Sequence, residues 1–140
     1  MRKLIVLDTN ILIRAVLGER VPNLLEKYSS NCNFVTPANC YDELNYHLPK
    51  ILQKRNLPLE LFLTAIEKLT KVVIPIDEDI YSEYKYASQQ RIEKRDIKDW
   101  TIVALALSLN CPIWTEDHDF FGIGIATWNT QNVEIYLSSN

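Results

Sequence analysis

The chain of 140 residues has a mass of 16.3 kDa, which is the size of one domain. Hydrophobic residues make up 47% of the sequence and charged residues 24%, a composition that excludes an intrinsically disordered chain. The formal net charge of −3 favours no class of partner. The three glycines are too few and too scattered for a dinucleotide-binding fingerprint or a P-loop.

The first apolar run stops too early to act as an export signal. It ends at Asp8, whereas the apolar part of a signal peptide is about 7–15 residues long. The longest apolar run, at residues 102–107, is far shorter than the roughly 20 residues of a membrane span. We therefore expect a cytoplasmic protein that contacts no membrane. Its odd number of cysteines, with no C-x-x-C pair, predicts reduced core thiols at Cys32, Cys40 and Cys111.

Strands and helices alternate in the first half of the chain. The continuous aliphatic run at 4–7 is typical of a buried parallel strand. Thr36 and Pro37 predict a helix start, with the Thr36 hydroxyl as N-cap and Pro37 at the first helical position. The predicted elements are a strand at 4–7, helices at 11–17 and 22–28, a strand at 34–36, and a helix from 37 that breaks at Pro49 or continues to about 55.

The alternation continues in the second half. Pro75 places the third strand at a sheet edge or ends it early, and Asp77 is the expected cap of the next helix. The predicted elements are a helix at 59–66, a strand at 72–76, helices at 77–87 and from about 96 to 107, a strand at 113–115, a loop at 122–131 and a fifth strand at 133–137. This order predicts one α/β domain over residues 1–140, with a mostly parallel sheet of about five strands covered on both faces.

Four acidic residues are predicted to meet at one edge of that sheet. Asp8 directly follows the first strand and Asp117 follows the fourth, where the sites of parallel sheets form. Asp99 lies in the first turn of one helix, and Glu43 lies two turns into another that opens at the same edge. Taken singly, each acid has an ordinary role, such as a helix cap for Asp8 or a dipole partner for Asp99.

The combination of four acids predicts a metal site. Carboxylates brought this close repel one another and raise one another's pKa, and a divalent cation removes that conflict. Oxygen ligands with few or no His or Cys suit Mg²⁺ or Mn²⁺. Such an ion lowers the pKa of bound water and neutralises charge on phosphoryl oxygens, so the expected reaction is metal-dependent hydrolysis of a phosphodiester.

A basic segment lies just before the last acids. Arg91, Lys94, Arg95 and Lys98 have the spacing of one helix face, which predicts a weak RNA-binding stripe or, alternatively, an ordinary solvated face. No Lys or Arg follows Lys98, although five acids do. We interpret one of these, Glu134, as part of a solvated acidic surface; the others are Asp99, Glu116, Asp117 and Asp119.

The order of these motifs resembles the PIN domain family of nucleases over essentially the whole chain. It consists of Asp8-Thr9-Asn10 after the first strand, Glu43, Asp99 opening a helix, and residues 115–120, Thr-Glu-Asp-His-Asp-Phe. The segments at 95–100, 112–122 and 127–130 are similar to a prokaryotic branch, many of whose members are toxins of VapBC-type toxin–antitoxin pairs. The resemblance implies a three-layer α/β/α fold with a central parallel sheet and a ribonuclease that depends on Mg²⁺ or Mn²⁺.

The resemblance also implies roles for individual residues. The catalytic metal ligands would be Asp8, Glu43, Asp99 and Asp117. Asp119 would be a fifth acid, either a ligand or a neighbour of the ligands. Asn10 and Thr115 would orient carboxylates, and Asp96 would be either a helix cap or a contributor to the site.

Partners follow from the same resemblance. Toxins of this branch commonly form homodimers, and a small antitoxin protein inhibits them by inserting a segment near the acidic site. The helices at 21–30 and 37–71 are predicted to carry apolar side chains for such an interface, with Phe62 favoured as a core residue: Tyr41, Tyr46, Leu57, Leu61 and Phe62.

Two other functions remain open on the sequence. One is a non-catalytic RNA-binding or adaptor module of the same fold, against which the four retained acids argue. The other is an aspartyl-nucleophile phosphatase, which also begins with a strand and an Asp. That class requires a second Asp two residues later, where this chain has Asn10.

Overall fold

Five parallel strands form one sheet at the centre of the molecule. The computed structural model describes residues 2–93 and 96–140. The strand order is β3-β2-β1-β4-β5, and every neighbouring pair is parallel. The strands are β1 (Lys3–Leu7), β2 (Cys32–Pro37), β3 (Val73–Ile76), β4 (Ile113–Trp114) and β5 (Thr127–Trp128). The parallel α/β architecture is therefore confirmed, with β3 at an edge as Pro75 predicted.

Helices connect the strands. They are α1 (Thr9–Leu17), α2 (Arg20–Tyr28), α3 (Ala38–Lys54), α4 (Leu63–Val72), α5 (Glu78–Tyr81), α6 (Lys85–Arg91), α7 (Trp100–Leu109) and α8 (Val133–Ser138). Single turns of 3-10 helix lie at Leu59–Phe62, Ser82–Tyr84, Ile97–Asp99 and His118–Phe120. The helix predicted at 77–87 is thus interrupted, whereas α3 continues through Pro49.

The core lies on both sides of β1. Ile5, Val6 and Leu7 are fully buried. Helix α7 packs against β1 and β2, and its residues from Thr101 to Ala106 are all buried, which explains why this segment is apolar on every side. The three cysteines are buried and free, as predicted. Among the helices of the described residues, none is both long and apolar enough to cross a membrane.

The segment predicted as the fifth strand is helix α8. Val133 and Leu137 are buried, whereas Ile135 between them is 65% exposed. In a strand all three side chains would share one face, so only helical spacing buries the first and last while exposing the middle one. The actual fifth strand, β5, lies inside the segment predicted as a loop.

The start of α3 also differs from the prediction. Thr36 does not cap the helix, because its hydroxyl is buried in β2 and donates a hydrogen bond to the Leu7 carbonyl oxygen at 2.8 Å. Pro37 is the last residue of β2, and the helix begins at Ala38. The prediction was wrong because both residues pair with β3, Thr36 with Pro75 and Pro37 with Ile76, and so belong to the sheet.

The basic stripe is not a single helix face. Helix α6 ends at Arg91, while Lys98 lies in the separate turn Ile97–Asp99. The Arg91 guanidinium donates to the Ile123 carbonyl oxygen at 2.7 Å, beside Gly124, whose φ of +86° no bulkier residue adopts easily. The other two members, Lys94 and Arg95, lie outside the described residues. Arg91 therefore stabilises the loop before β5 through this hydrogen bond.

Glu134 is not a merely solvated acid. It connects α8 to α2, accepting hydrogen bonds from Lys27 Nζ at 2.8 Å and from the Tyr28 hydroxyl at 2.6 Å. Arg20 Nη2 lies 3.2 Å from its other oxygen. The last helix is held to the body of the protein through this cluster.

Candidate active site

Four predicted acids line one cleft at the carboxyl ends of the central strands. Asp8, Glu43, Asp99 and Asp117 border a cavity of about 120 Å³. The remaining lining residues are Thr9, Asn10, His47, Ile102 and Phe120. Among these described lining residues there is no Lys or Arg, so the carboxylates have no strong base inside the cleft.

Asp8 joins the sheet to the first helix. One carboxylate oxygen accepts the Ile11 backbone N–H at 3.0 Å and so caps α1, and the other accepts the Thr115 hydroxyl. Burial raises the pKa of this carboxyl to about 6, with a further increase from the charges of Asp117 and Glu116, although both hydrogen bonds lower it. Asp8 is thus both a helix cap and a cleft residue.

Thr115 connects two of the acids. Its hydroxyl donates to Asp8 and accepts the backbone N–H of Asp117 at 2.9 Å. Asp117 in turn caps the next turn, since its Oδ1 accepts the Asp119 backbone N–H at 2.9 Å. Asp119 itself is exposed and does not line the cleft.

The strand that replaced the predicted loop supports this region. Thr115 N–H donates to the Trp128 carbonyl oxygen of β5 at 2.9 Å. Beyond β5, Thr130 accepts the Trp114 indole N–H at 3.1 Å, and its own backbone N–H donates to Glu116 Oε1 at 2.7 Å. The segment after β4 that carries Asp117 is therefore tied down at several points.

Glu43 is held by two neighbours, Thr9 and Asn39, for which no role was predicted from the sequence. Its Oε2 accepts the Thr9 hydroxyl at 2.7 Å, and Asn39 Nδ2 lies 3.5 Å from its Oε1. His47, another residue missed, lines the cleft one helical turn after Glu43. The signals were available, because Thr9 belongs to the Asp-Thr-Asn motif and His47 follows Glu43 at i+4.

Asp99 is the least compensated of the acids. It stands at the junction between the turn Ile97–Asp99 and α7. Burial is the largest cause that raises its pKa to about 7, and the other causes are the negative charges of Asp96, Asp117, Asp8 and Glu43. Asp96 itself caps the turn, accepting the Lys98 backbone N–H at 3.0 Å, and does not line the cleft.

The donor set of the cleft fits a hard divalent cation. All four titratable acids present oxygen ligands, and two of them have pKa values raised by burial and by neighbouring negative charge. Within residues 2–93 and 96–140, no three His, Cys, Asp or Glu side chains are already close enough to coordinate one ion. Carboxylates with no cation between them repel one another, so closing this set around an ion requires side-chain movement.

Comparison with known proteins yields one family and several related structures. The sequence profile of the PIN domain matches residues 6–138. No curated protein matches the chain. Among solved structures, the chain is similar to one in the crystal structure of VapBC2 from Rickettsia felis bound to a DNA fragment from their promoter. The TM-score is 0.70 at 20% identity, covering 90% of this chain and 98% of that one.

Two further structures share the fold. One is FitAcB from Neisseria gonorrhoeae, with a TM-score of 0.61 and 20% identity over 91% of this chain and 99% of that chain. The other is VapBC-1 from nontypeable Haemophilus influenzae, with a TM-score of 0.56 and 26% identity over 91% of this chain and 98% of that chain. The fold expected from the motifs is thereby confirmed.

Proposed function

The chain belongs to the PIN domain family, whose members are generally nucleases, and from this premise we propose that its acidic cleft hydrolyses RNA phosphodiester bonds with Mg²⁺ or Mn²⁺. The observation that carries the proposal is the convergence of Asp8, Glu43, Asp99 and Asp117 on one cleft with no Lys or Arg among its described lining residues. A site of this charge attracts a divalent ion, and the ion in turn attracts a phosphate.

The residues of the chain divide the work between binding and positioning. The four carboxylates would hold the ion, which when bound lowers the pKa of a water molecule and offsets charge on the phosphoryl oxygens. Thr115 fixes the orientation of Asp8 and the backbone at Asp117, and Thr9 fixes Glu43. Asn10 lines the same cleft with an exposed amide that can donate to substrate oxygens.

We further propose that the chain is the toxin of a VapBC-type pair, acting in the cytoplasm as a homodimer that a small antitoxin protein inhibits. The similar structures of VapBC and FitAcB support this assignment.

The predicted partner surface is only partly accessible. Leu61 is 67% exposed and Tyr46 and Leu57 are also exposed, so these three are available to a partner. Tyr41 is buried and donates its hydroxyl to the Val73 carbonyl oxygen at 2.6 Å, so it does not belong to such a surface. Phe62 packs partly against the core.

Cleavage of RNA by the purified protein tests the proposal. Structured and single-stranded RNAs are incubated with Mg²⁺, Mn²⁺ or EDTA, with wild type or an Asp8→Asn, Asp99→Asn double variant. We expect cleavage that needs the metal and is lost in the folded double variant. Equal cleavage by both proteins would indicate a contaminating nuclease. RNA binding without any cleavage would favour the adaptor function instead.

A further inference from the structure

An aromatic pair with an adjacent lysine stands at the rim of the acidic cleft. Tyr46 and His47 of α3 meet edge to face, with ring centroids 5.1 Å apart and an interplanar angle of 78°. His47 lines the cleft, while Tyr46 is 62% exposed. One turn further, Lys50 Nζ lies 3.8 Å from the centre of the Tyr46 ring.

The fold offers no packing reason for the exposure of Tyr46. Its ring contacts the side chains of neighbouring residues on the same helix and is absent from the buried core and from the side chains packed against it. Single exposed tyrosines are common on protein surfaces. What distinguishes this one is that its ring partner lines the cleft together with Glu43 and that a cation lies on its face.

Because the cleft is negatively charged, an RNA strand is expected to bind across this rim, where a positive charge is present. The carboxylates repel the phosphates that flank the bond to be cleaved, and one metal ion cannot neutralise all of them. Lys50 places a positive charge just outside the cleft, next to an exposed ring. Basic groups interleaved with aromatic rings are the usual surface for single-stranded nucleic acid.

We propose that Tyr46, His47 and Lys50 form a subsite that stacks one unpaired nucleobase of an RNA strand and contacts its phosphate. The inference rests on the proposed nuclease function and adds a substrate-binding site to it. The base stacks on the Tyr46 ring and displaces the Lys50 amine, because an exposed cation–π contact is weaker than base stacking. The amine then meets the phosphate of the same nucleotide. Bases in duplex RNA present no free face, so the subsite selects unpaired nucleotides.

A second aromatic pair lies on the segment after β4. His118 and Phe121 are stacked, with ring centroids 5.1 Å apart and an interplanar angle of 20°, and they follow Asp117 directly in the chain. The two segments that carry Glu43 and Asp117 therefore each carry a histidine and an aromatic ring. On α3 a lysine also lies beside the aromatic pair, which is why the subsite is placed there.

Binding of a fluorescently labelled RNA by the full chain tests the subsite. All proteins carry Asp99→Asn, so that binding is measured without cleavage, and affinity is read from fluorescence anisotropy with Mg²⁺ present. The ligands are a short single strand, the same sequence as a duplex, and the same strand with abasic nucleotides. We expect Tyr46→Ala to weaken binding of the single strand about tenfold, and Tyr46→Phe, which keeps the ring, to change it less than about twofold.

Tyr86 provides the matched control. It is 72% exposed on α6 and also lies beside a polar side chain, since Gln90 Nε2 donates to its hydroxyl at 2.9 Å. Tyr86→Ala should leave RNA affinity unchanged, and Tyr46→Ala should not weaken binding of the abasic strand. Equal effects of the two substitutions, or an equal loss on the abasic strand, would overturn the subsite. So would a Tyr46→Ala protein that binds RNA normally but loses self-association in light scattering.

A separate measurement tests whether the chain is a nuclease. Metal-dependent cleavage is measured on the chain with Asp99 intact, with and without Tyr46→Ala. If wild type cleaves and Tyr46→Ala changes neither KM nor affinity, the subsite is wrong and the nuclease stands. If no metal-dependent cleavage occurs but Tyr46→Ala specifically weakens single-strand binding, the subsite stands on a non-catalytic RNA-binding chain.

Discussion

Acidic side chains occur in two opposite settings in this molecule, the cleft and the contact between α8 and α2. In the cleft, burial raises the pKa of Asp8 to about 6 and that of Asp99 to about 7. At the other location, hydrogen bonds from Lys27, Tyr28 and Arg20 lower the pKa of Glu134 to about 2, although desolvation opposes them. The same functional group is thus destabilised as an anion in one place and stabilised in the other.

The difference shows which charges the chain balances by itself. Glu134 has basic partners from another helix, so its charge contributes to folding. Asp99 is buried and has acidic neighbours instead, so its anionic form is disfavoured unless a cation binds beside it. Binding sites often have this property, because residues arranged for a ligand are not arranged for stability.

The largest expected effect is a loss of catalysis when a carboxylate of the acidic cleft is removed. Asp99→Asn should lower the rate of RNA cleavage by at least about a thousandfold, because it removes a metal ligand. In EDTA at neutral pH the same variant should unfold at a higher temperature than wild type, because one of several repelling charges is gone. Cleavage rate and thermal midpoint are measured on the same preparations.

Glu116→Gln is the matched control for that substitution. Glu116 also follows β4, but it accepts a hydrogen bond from the Thr130 N–H and does not line the cleft. It should keep most of the activity. Equal losses in the two variants would show that the cleft carboxylates are not special.

A smaller loss of cleavage activity is expected when Asp8 is kept but the Thr115 hydroxyl that orients it is removed. Thr115→Val preserves the shape of the side chain and removes the hydroxyl that donates to Asp8 and accepts from Asp117 N–H. We expect a decrease in cleavage of about 10–100-fold and a weaker affinity for Mn²⁺. The free energy of unfolding should fall by about 1–3 kcal/mol, since a buried polar group loses its partner.

Thr115→Ser separates the two contributions. It restores the hydroxyl and should recover most of the activity and metal affinity while leaving a small packing defect. If valine and serine at this position behave alike, the hydroxyl does not position Asp8 and the role assigned to Thr115 is wrong.

The acidic cleft could be predicted from the sequence more completely than the short strands and helices could, because of where its residues lie in the chain. Asp8 and Asp117 follow short apolar runs that are typical of buried strands, so the rule for parallel sheets predicts that they lie together. Asp99 and Glu43 lie near the starts of helices that open at the same edge. The structure places all four on one cleft. Their roles as ligands stay predictions.

Elements with short or ambiguous patterns were predicted less well. Residues 133–137 alternate like a strand, yet burial of Val133 and Leu137 under an exposed Ile135 requires a helix. Strand β5 has only two residues, too few for any periodicity. The contacts that decide these cases join residues far apart in the chain, such as the Glu134–Lys27 pair, and single-sequence patterns do not contain them.

Titration in the absence of metal distinguishes the two acidic settings more finely. The pKa of Asp99 is about 7 in the folded protein and that of Asp8 about 6, both above the ordinary value of 3.8. Between the ordinary and the raised values the folded state binds more protons than the unfolded state. Stability should therefore rise as pH falls from about 8 to about 5, and the rise should be smaller in Asp99→Asn.

Divalent ions should reduce that pH dependence, because they stabilise the folded protein at high pH, where the buried carboxylates are ionised. At pH 8 Asp8 and Asp99 are mostly ionised. Mn²⁺ at about a hundred times its dissociation constant should then add about 2.7 kcal/mol to the free energy of unfolding. Na⁺ at matched ionic strength controls for general screening. No difference between Mn²⁺ and the salt control, in a wild-type protein that is fully folded, would contradict a metal site in the cleft.

The smallest effect is expected at the contact between α8 and α2, where basic partners balance the charge of Glu134. Glu134→Gln removes the charge that Lys27 and Arg20 face, and because these partners are solvent-exposed the thermal midpoint should fall only slightly. The sign of the pH dependence is opposite to that of the cleft. A lowered pKa stabilises the fold above the ordinary value of 4.5 and loses that contribution as pH falls toward about 2. Differential scanning fluorimetry of wild type and variant between these limits should show their midpoints converging in acid, with RNA cleavage at neutral pH unchanged. A variant that loses cleavage while its midpoint is unaltered would show that α8 acts on the cleft itself, and the division between the two acidic settings would no longer hold.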